Sequence, residues 1–158
     1  MSFVSCLYSL LYMNSVIDSK AHLKLTIRDI YNCSVSDDGL SFFCTLFSDK
    51  SKESTLFQNV RIHGLVMQKN NSSFVVDDGT GVIIVKIPRD YYIEIPNVSD
   101  YVEVLGKLQI EERSQRVISA LSCSKRNEPM EEVFHLLEQA AIHQSYSKYR
   151  QLTQQSFL

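Results

Sequence analysis

The residues that could do chemistry in this 158-residue chain are few and scattered. Asp77 and Asp78 are adjacent carboxylates and invite a reading as an acid–base pair or metal site. Spacing argues against both, because neighbouring strand residues point to opposite faces. The following Gly79-Thr80-Gly81 supplies glycines for the positive φ of a tight hairpin, and the carboxylates can bond local backbone. His63 has no nucleophile or acid at recognisable spacing. Cys6, Cys33, Cys44 and Cys123 include no Cys-x-x-Cys pair and no histidine at zinc-ligand spacing. Two bridges are conceivable, but the expectation is four reduced thiols in an intracellular protein. A phosphate-cradling glycine loop, a serine elbow and a Cys–His pairing are all missing from the sequence. The expectation is therefore a protein with no catalytic residue, no metal and no cofactor.

The elements that carry these residues are strands. Val60, Ile62, Gly64 and Val66 alternate with Arg61, His63, Leu65 and Met67, the two-residue period of a half-buried strand. Lys69 to Ser73 is turn material, Phe74-Val75-Val76 a second strand, and Val82 to Ile87 a third that stops at Pro88. Pro88 to Asp100 holds Pro96, which predicts an irregular crossover rather than a long helix. Val102, Val104, Gly106 and Leu108 define the inward face of a fourth strand over 101–110, and Gly106 marks a bulge or bend. Residues 111–114 form a hairpin tip, and Arg116 to Cys123 is the fifth strand. Five strands with a crossover after the third fit a five-stranded OB-type barrel over residues 57–127.

Residues 1–56 read as an N-terminal extension and lead-in. The apolar run from Phe3 to Met13 is too short to span a membrane, which takes about 20 residues. It has no basic residue before Lys20, against a signal peptide; the Asn-x-Ser sequons at 32, 70, 71 and 97 are the only hint of secretion, and Met13 is an alternative start. Residues 23–30 predict a short helix or irregular segment over one barrel end, and Leu40 to Phe47 a strand. After the barrel, Asn127-Glu128-Pro129 followed by Glu131 and Glu132 starts a helix over 128–152, with a tail at 153–158 and fraying beyond His143. Its apolar positions are 130, 133, 134, 137, 140 and 141, one stripe of an amphipathic helix. That stripe suits the barrel or a partner's helix equally well.

The pattern V-x-I-x-G-x-V, V-x-D-D-G-T-G and Y-V-x-V-x-G-x-L, then a fifth strand and a helix, resembles OB-fold subunits of the replication protein A middle-subunit type. Within that group the chain is most similar to the RecQ-mediated genome instability protein 2 family. The resemblance rests on 85–89, Pro96, 101–106 and the direct passage through Asn127-Glu128-Pro129 into an acidic-started helix with little after it. It covers residues 57 to about 142.

The resemblance implies a non-catalytic nuclear scaffold. Its partner would be a second OB-fold subunit similar to RecQ-mediated genome instability protein 1. Through that pair it would join a RecQ helicase and a type IA topoisomerase that dissolve double Holliday junctions. It also implies that Met130, Val133, Phe134, Leu137 and Ala141 form the partner contact. The alternative is a single-stranded-DNA-binding subunit of a replication protein A-like or telomere-capping trimer, with Arg61, Lys86 and Lys107 as weak phosphate contacts. Residues 57–127 carry nine basic and eight acidic side chains, so no electrostatic funnel is expected. No membrane association is expected.

Overall fold

A two-residue alternation of apolar and polar side chains builds the barrel described by the computed structural model, which covers residues 22–44, 56–128 and 130–155. The expectations for residues 1–20 lie outside this range. β1 (Leu23–Lys24), α1 (Ile27–Asn32), β2 (Ser34–Val35), β3 (Phe42–Phe43) and β4 (Leu56–Phe57) lead into five longer strands. These are β5 (Asn59–Lys69), β6 (Ser73–Asp77), β7 (Val82–Lys86), β8 (Tyr101–Ile110) and β9 (Arg116–Lys125), followed by α2 (Glu131–Gln155). The crossover at 87–100 is irregular, as its prolines predict.

β5 pairs with β6, β6 with β7, β7 in parallel with β9, β9 with β8, and β8 back to β5. The five strands therefore close into a ring, the OB barrel expected from their order. Val60, Ile62, Val66, Phe74, Val76, Ile83, Val85, Val102, Val104, Leu108 and Ile118 fill it and are fully or almost fully buried.

Two glycines make closure possible. Leu65 lies opposite both Asp77 of β6 and Tyr101 of β8, so β5 changes neighbours beside Gly64. A Cβ on Gly64 would sit 2.4 Å from the Asp77 carbonyl oxygen and 2.6 Å from Val76 Cγ1, a space no side chain can enter. At Gly106 the β8–β9 register shifts, the bulge predicted from its sequence. A Cβ there would lie 2.5 Å from Ile118 Cγ2 and 2.6 Å from the Ser119 carbonyl oxygen.

α1 covers one end of the barrel. Leu25, Ile27 and Ile30 are buried in the core cluster. Its N-terminal N–H groups are capped from two directions. Thr26 and Asp29 form a reciprocal capping box within the helix. From the distant Asp77–Gly81 turn, Asp78 Oδ2 accepts from Ile27 N at 2.7 Å and Thr80 Oγ1 accepts from Arg28 N at 3.1 Å. Asp78 Oδ1 meanwhile accepts from Thr80 N, Thr80 Oγ1 and Gly81 N. Asp78 is a turn residue, as expected, with a second role as a cap for a helix fifty residues earlier, whereas Asp77 closes β6 and accepts from Gly79 N at 2.7 Å.

The lead-in differs from expectation in detail. Of the strand predicted over 40–47, the described part is the two-residue β3, paired with β2 and β4 in a small second sheet. The helix α2 continues to Gln155 rather than fraying after His143. Its last turns contain no glycine or proline, and glutamine, lysine, arginine and leucine tolerate helix well.

Candidate interaction surface

α2 lies on the outer face of the barrel against β5, and its orientation decides what it can do. An amphipathic helix ordinarily turns its apolar stripe to the core. Here the polar side is turned inward. His135 and Gln139 are 7% and 5% exposed, whereas Met130, Val133, Phe134 and Leu137 are 53%, 43%, 64% and 61% exposed. These four share one helical face by their spacing of three and four residues, Leu136 widens it, and the exposed Ala141 continues it. All five residues expected at a partner contact thus sit on the outward side of the helix.

Polar groups on the barrel explain the inversion. His63 is on the outward side of β5, as its alternation predicts, yet α2 covers it. The His63 and His135 rings lie 3.9 Å apart between centroids, tilted by 37°. His63 Nε2 is 2.8 Å from Glu103 Oε2 on β8. That carboxylate also accepts from Arg61 Nε at 2.8 Å and Nη2 at 2.5 Å, and from Arg126 Nη2 at 2.6 Å. Farther along, Lys24 pairs with Glu138, and His143 Nε2 lies 3.1 Å from Asp29 Oδ2 of α1.

The seam disfavours the charged forms of His63 and His135. Burial, reinforced by the neighbouring His135 and Lys24, pushes His63 down to about 3, against the pull of Glu103. Burial and Lys24 push His135 down to about 4. Burial alone would raise Glu103, but the Arg126 and Arg61 guanidinium groups outweigh it and hold the carboxyl below its usual range. Burial lowers Lys24 despite its bond to Glu138. Nδ1 of both rings and both polar atoms of the Gln139 amide are buried without a protein partner. A buried polar atom left so costs about 1–3 kcal/mol, so the seam sets orientation more than it adds stability.

No signal local to either element marks this seam, because His63 and His135 are seventy-two residues apart. The available clue was complementary: His63 and Glu103 both fall on outward strand positions, and α2 carries His135, Gln139 and His143 opposite its apolar stripe.

The three candidate phosphate contacts are separated. Arg61 belongs to the Glu103 cluster, and Lys86 Nζ bonds both oxygens of Glu111 at 2.6 Å. Lys107 is exposed on β8, opposite Asn59. Phe74 is core, and exposed aromatic side chains lie away from β6 and β7, at Tyr31 on α1, Tyr91 and Tyr92 on the crossover and Phe134 on α2. A shallow depression of about 490 Å³ at the first hairpin is lined by Lys69, Asn70, Asn71 and Ile95 and contains no acid–base pair. Among the described residues, no group of three or more metal-ligating side chains is positioned to hold an ion, and no helix is long and apolar enough to cross a membrane.

Comparison with solved structures finds the same architecture elsewhere. A chain of a replication protein A heterotrimer bound to single-stranded DNA superimposes with a TM-score of 0.63 and 25% identity, over 80% of this chain and 98% of that one. A chain of the S. pombe Stn1–Ten1 complex superimposes at 0.67 and 16% identity, over 85% of this chain and 99% of that one. The telomere capping protein Ten1 does so at 0.52 and 10% identity, over 77% of this chain and 97% of that one. No protein-family model and no curated protein matches the chain. The OB fold is common to this chain and these subunits.

Proposed function

We propose that this protein is a non-catalytic, nuclear OB-fold scaffold subunit that joins a genome-maintenance complex by docking the outward face of α2 on a helix of a second OB-fold subunit. The observation that carries this reading is the inverted seating of α2. Four large apolar side chains stay in water while the barrel takes the polar side. Burying such a side chain is worth about 1.5–3 kcal/mol, and a contiguous apolar stripe left exposed marks an interaction site. A partner helix with its own i, i+3, i+4, i+7 stripe fits this surface.

Two complexes fit that role. The motif pattern favours pairing with a subunit similar to RecQ-mediated genome instability protein 1, within a RecQ helicase–topoisomerase assembly that dissolves double Holliday junctions. The likeness to chains of replication protein A and Stn1–Ten1 favours a single-strand-binding or telomere-capping assembly. Electrostatics of the barrel supports an adaptor over a DNA-gripping subunit, since Arg61 and Lys86 already neutralise carboxylates.

Substituting Val133, Phe134 and Leu137 together by glutamate tests the docking surface. The barrel should keep its thermal midpoint while pull-down of the partner from nuclear extract is lost. Retained co-purification would refute the α2 interface. The identity of the captured proteins separates the complexes: a second OB protein with a helicase and topoisomerase, or one large and one small OB subunit. Oligonucleotide binding should be weaker than micromolar with a shallow salt slope; tight, steeply salt-dependent binding would favour the single-strand reading.

A further inference from the structure

The strongest unassigned feature is a pair of thiols at the barrel end. Cys33, the C-terminal cap of α1, has extended backbone angles of φ −68° and ψ 142°. β2 and β3 are antiparallel, with Ser34 opposite Phe43 and Val35 opposite Phe42. Continuing this register by one residue places Cys33 opposite Cys44. The type of position follows from the hairpin's other end, where Ser36 N donates to the Ser41 carbonyl at 2.9 Å. Hydrogen-bonded and non-hydrogen-bonded positions alternate along an antiparallel ladder, so 36/41 and 34/43 are of the first type and 33/44 of the second. Facing Cα atoms at a non-hydrogen-bonded position are about 4.5 Å apart, inside the range a disulfide accepts. Both thiols are buried. Interaction with the Cys44 thiol, and then burial, pushes Cys33 well above the usual thiol range.

We propose that Cys33 and Cys44 are a redox pair that closes into a cross-strand disulfide when the protein meets a small-molecule disulfide oxidant. The thiolate of one cysteine attacks the oxidant's S–S bond, forming a mixed disulfide and releasing one small thiol. The second thiolate then attacks the protein sulfur of that mixed disulfide and releases the other. Two electrons pass to the oxidant, and the two protein thiol protons end on its two released thiols. The raised Cys33 pKa and the burial of both groups make this slow until the 33–44 hairpin opens, so the pair stays reduced in a reducing compartment and closes on sustained oxidation.

Closure would join the end of α1 to β3. It would also remove the S–H that Cys33 donates to the Asp29 carbonyl at 3.1 Å. Asp29 is the α1 residue whose carboxylate meets His143 of α2, so the bond would form one helical turn from a contact between the two helices. This proposal is independent of what α2 docks.

Incubation of the full chain with oxidised glutathione, acid quenching, alkylation in denaturant and intact-mass analysis read the outcome. Of the four cysteines in the chain, two should become resistant to alkylation with the loss of two hydrogens, and peptide mapping should join Cys33 to Cys44. Cys33→Ser and Cys44→Ser should each restore alkylation at the remaining partner. If all four thiols stay alkylatable, if glutathione remains on either cysteine, or if the bridge involves Cys6 or Cys123, the assignment is wrong. The wild-type peptide map decides this even if a serine variant fails to fold.

Discussion

Among the described residues two α-helices flank the barrel, and they are attached in opposite ways. α1 has six residues, buries Ile27 and Ile30 completely, and has its first N–H groups satisfied by Thr26, Asp78 and Thr80. α2 has twenty-five residues, presents histidine and glutamine to the barrel, and keeps Phe134 and Leu137 in water. The short helix closes the core, whereas the long one uses the barrel as a base and directs its apolar surface elsewhere. The contrast teaches that length and amphipathic pattern do not identify the helix that holds a domain together; the chemistry of the contacting face does.

The comparison can be broken most severely at α1. Replacing Ile30 by alanine should cost about 2–5 kcal/mol, the usual range for truncating a fully buried isoleucine. Chemical denaturation should show this as a lower midpoint with the slope unchanged. A loss below ~1 kcal/mol would mean that α1 is peripheral and the contrast false.

Acid should act on α2 instead. The His63 and His135 pKa values are lower in the seated state than the ordinary histidine value, to about 3 and about 4. Between those values and about 6.5 the released state therefore binds more protons, and seating weakens as pH falls. The contribution is fully present above about 6.5 and is lost progressively towards 3–4. Each unit of difference is worth about 1.4 kcal/mol. Imidazole NMR should show both rings titrating late, and at pH near 5 the α2 amides should exchange faster while those of β8 and β9 remain protected. A His135→Leu variant should lose the His135 part of this pH dependence and keep the larger part, which comes from His63. Equal acid sensitivity of α1 and α2 would remove the distinction.

The smallest effect belongs to the long-range cap. Asp78→Ala removes the acceptor of Ile27 N and should cost about 0.5–2 kcal/mol. Asp78→Asn keeps one acceptor oxygen where the carboxylate uses two, enough for the turn N–H groups or for Ile27 N but not both, and should recover only part of that in the same thermal melt. Full recovery would mean that one acceptor oxygen suffices and that the double role of Asp78 is not what anchors α1.

Much of this could be read from the chain, and the limits have physical causes. The barrel strands were legible because Val60 to Val66 and Val102 to Leu108 alternate with one face buried. Gly106 announced its bulge because a strand interior rarely tolerates a missing side chain. The α2 stripe was equally legible, but a stripe gives an axis and not a direction, so its exposure is decided only by how the helix seats on the barrel. The polar seam was hidden for a related reason: His63 on β5, Glu103 on β8 and His135 on α2 meet only after the ring has closed. The reach of Asp78 to α1 was invisible because a turn's composition says how it bends and not what it then touches. β2 and β4, each two residues long, fall below what periodicity can register, and β3 shows only as part of a longer apolar run.

The ring's closing point has a consequence for how this protein tolerates change. At Gly64 a methyl group would overlap main-chain atoms of the facing strand, which cannot swing aside as a side-chain tip does. The outside of α2 can accept a charge with the barrel intact; the inside of β5 at residue 64 cannot accept a single carbon. The molecule therefore has a wide margin for changes on the outer face of α2 and almost none for altering the closing point of the ring.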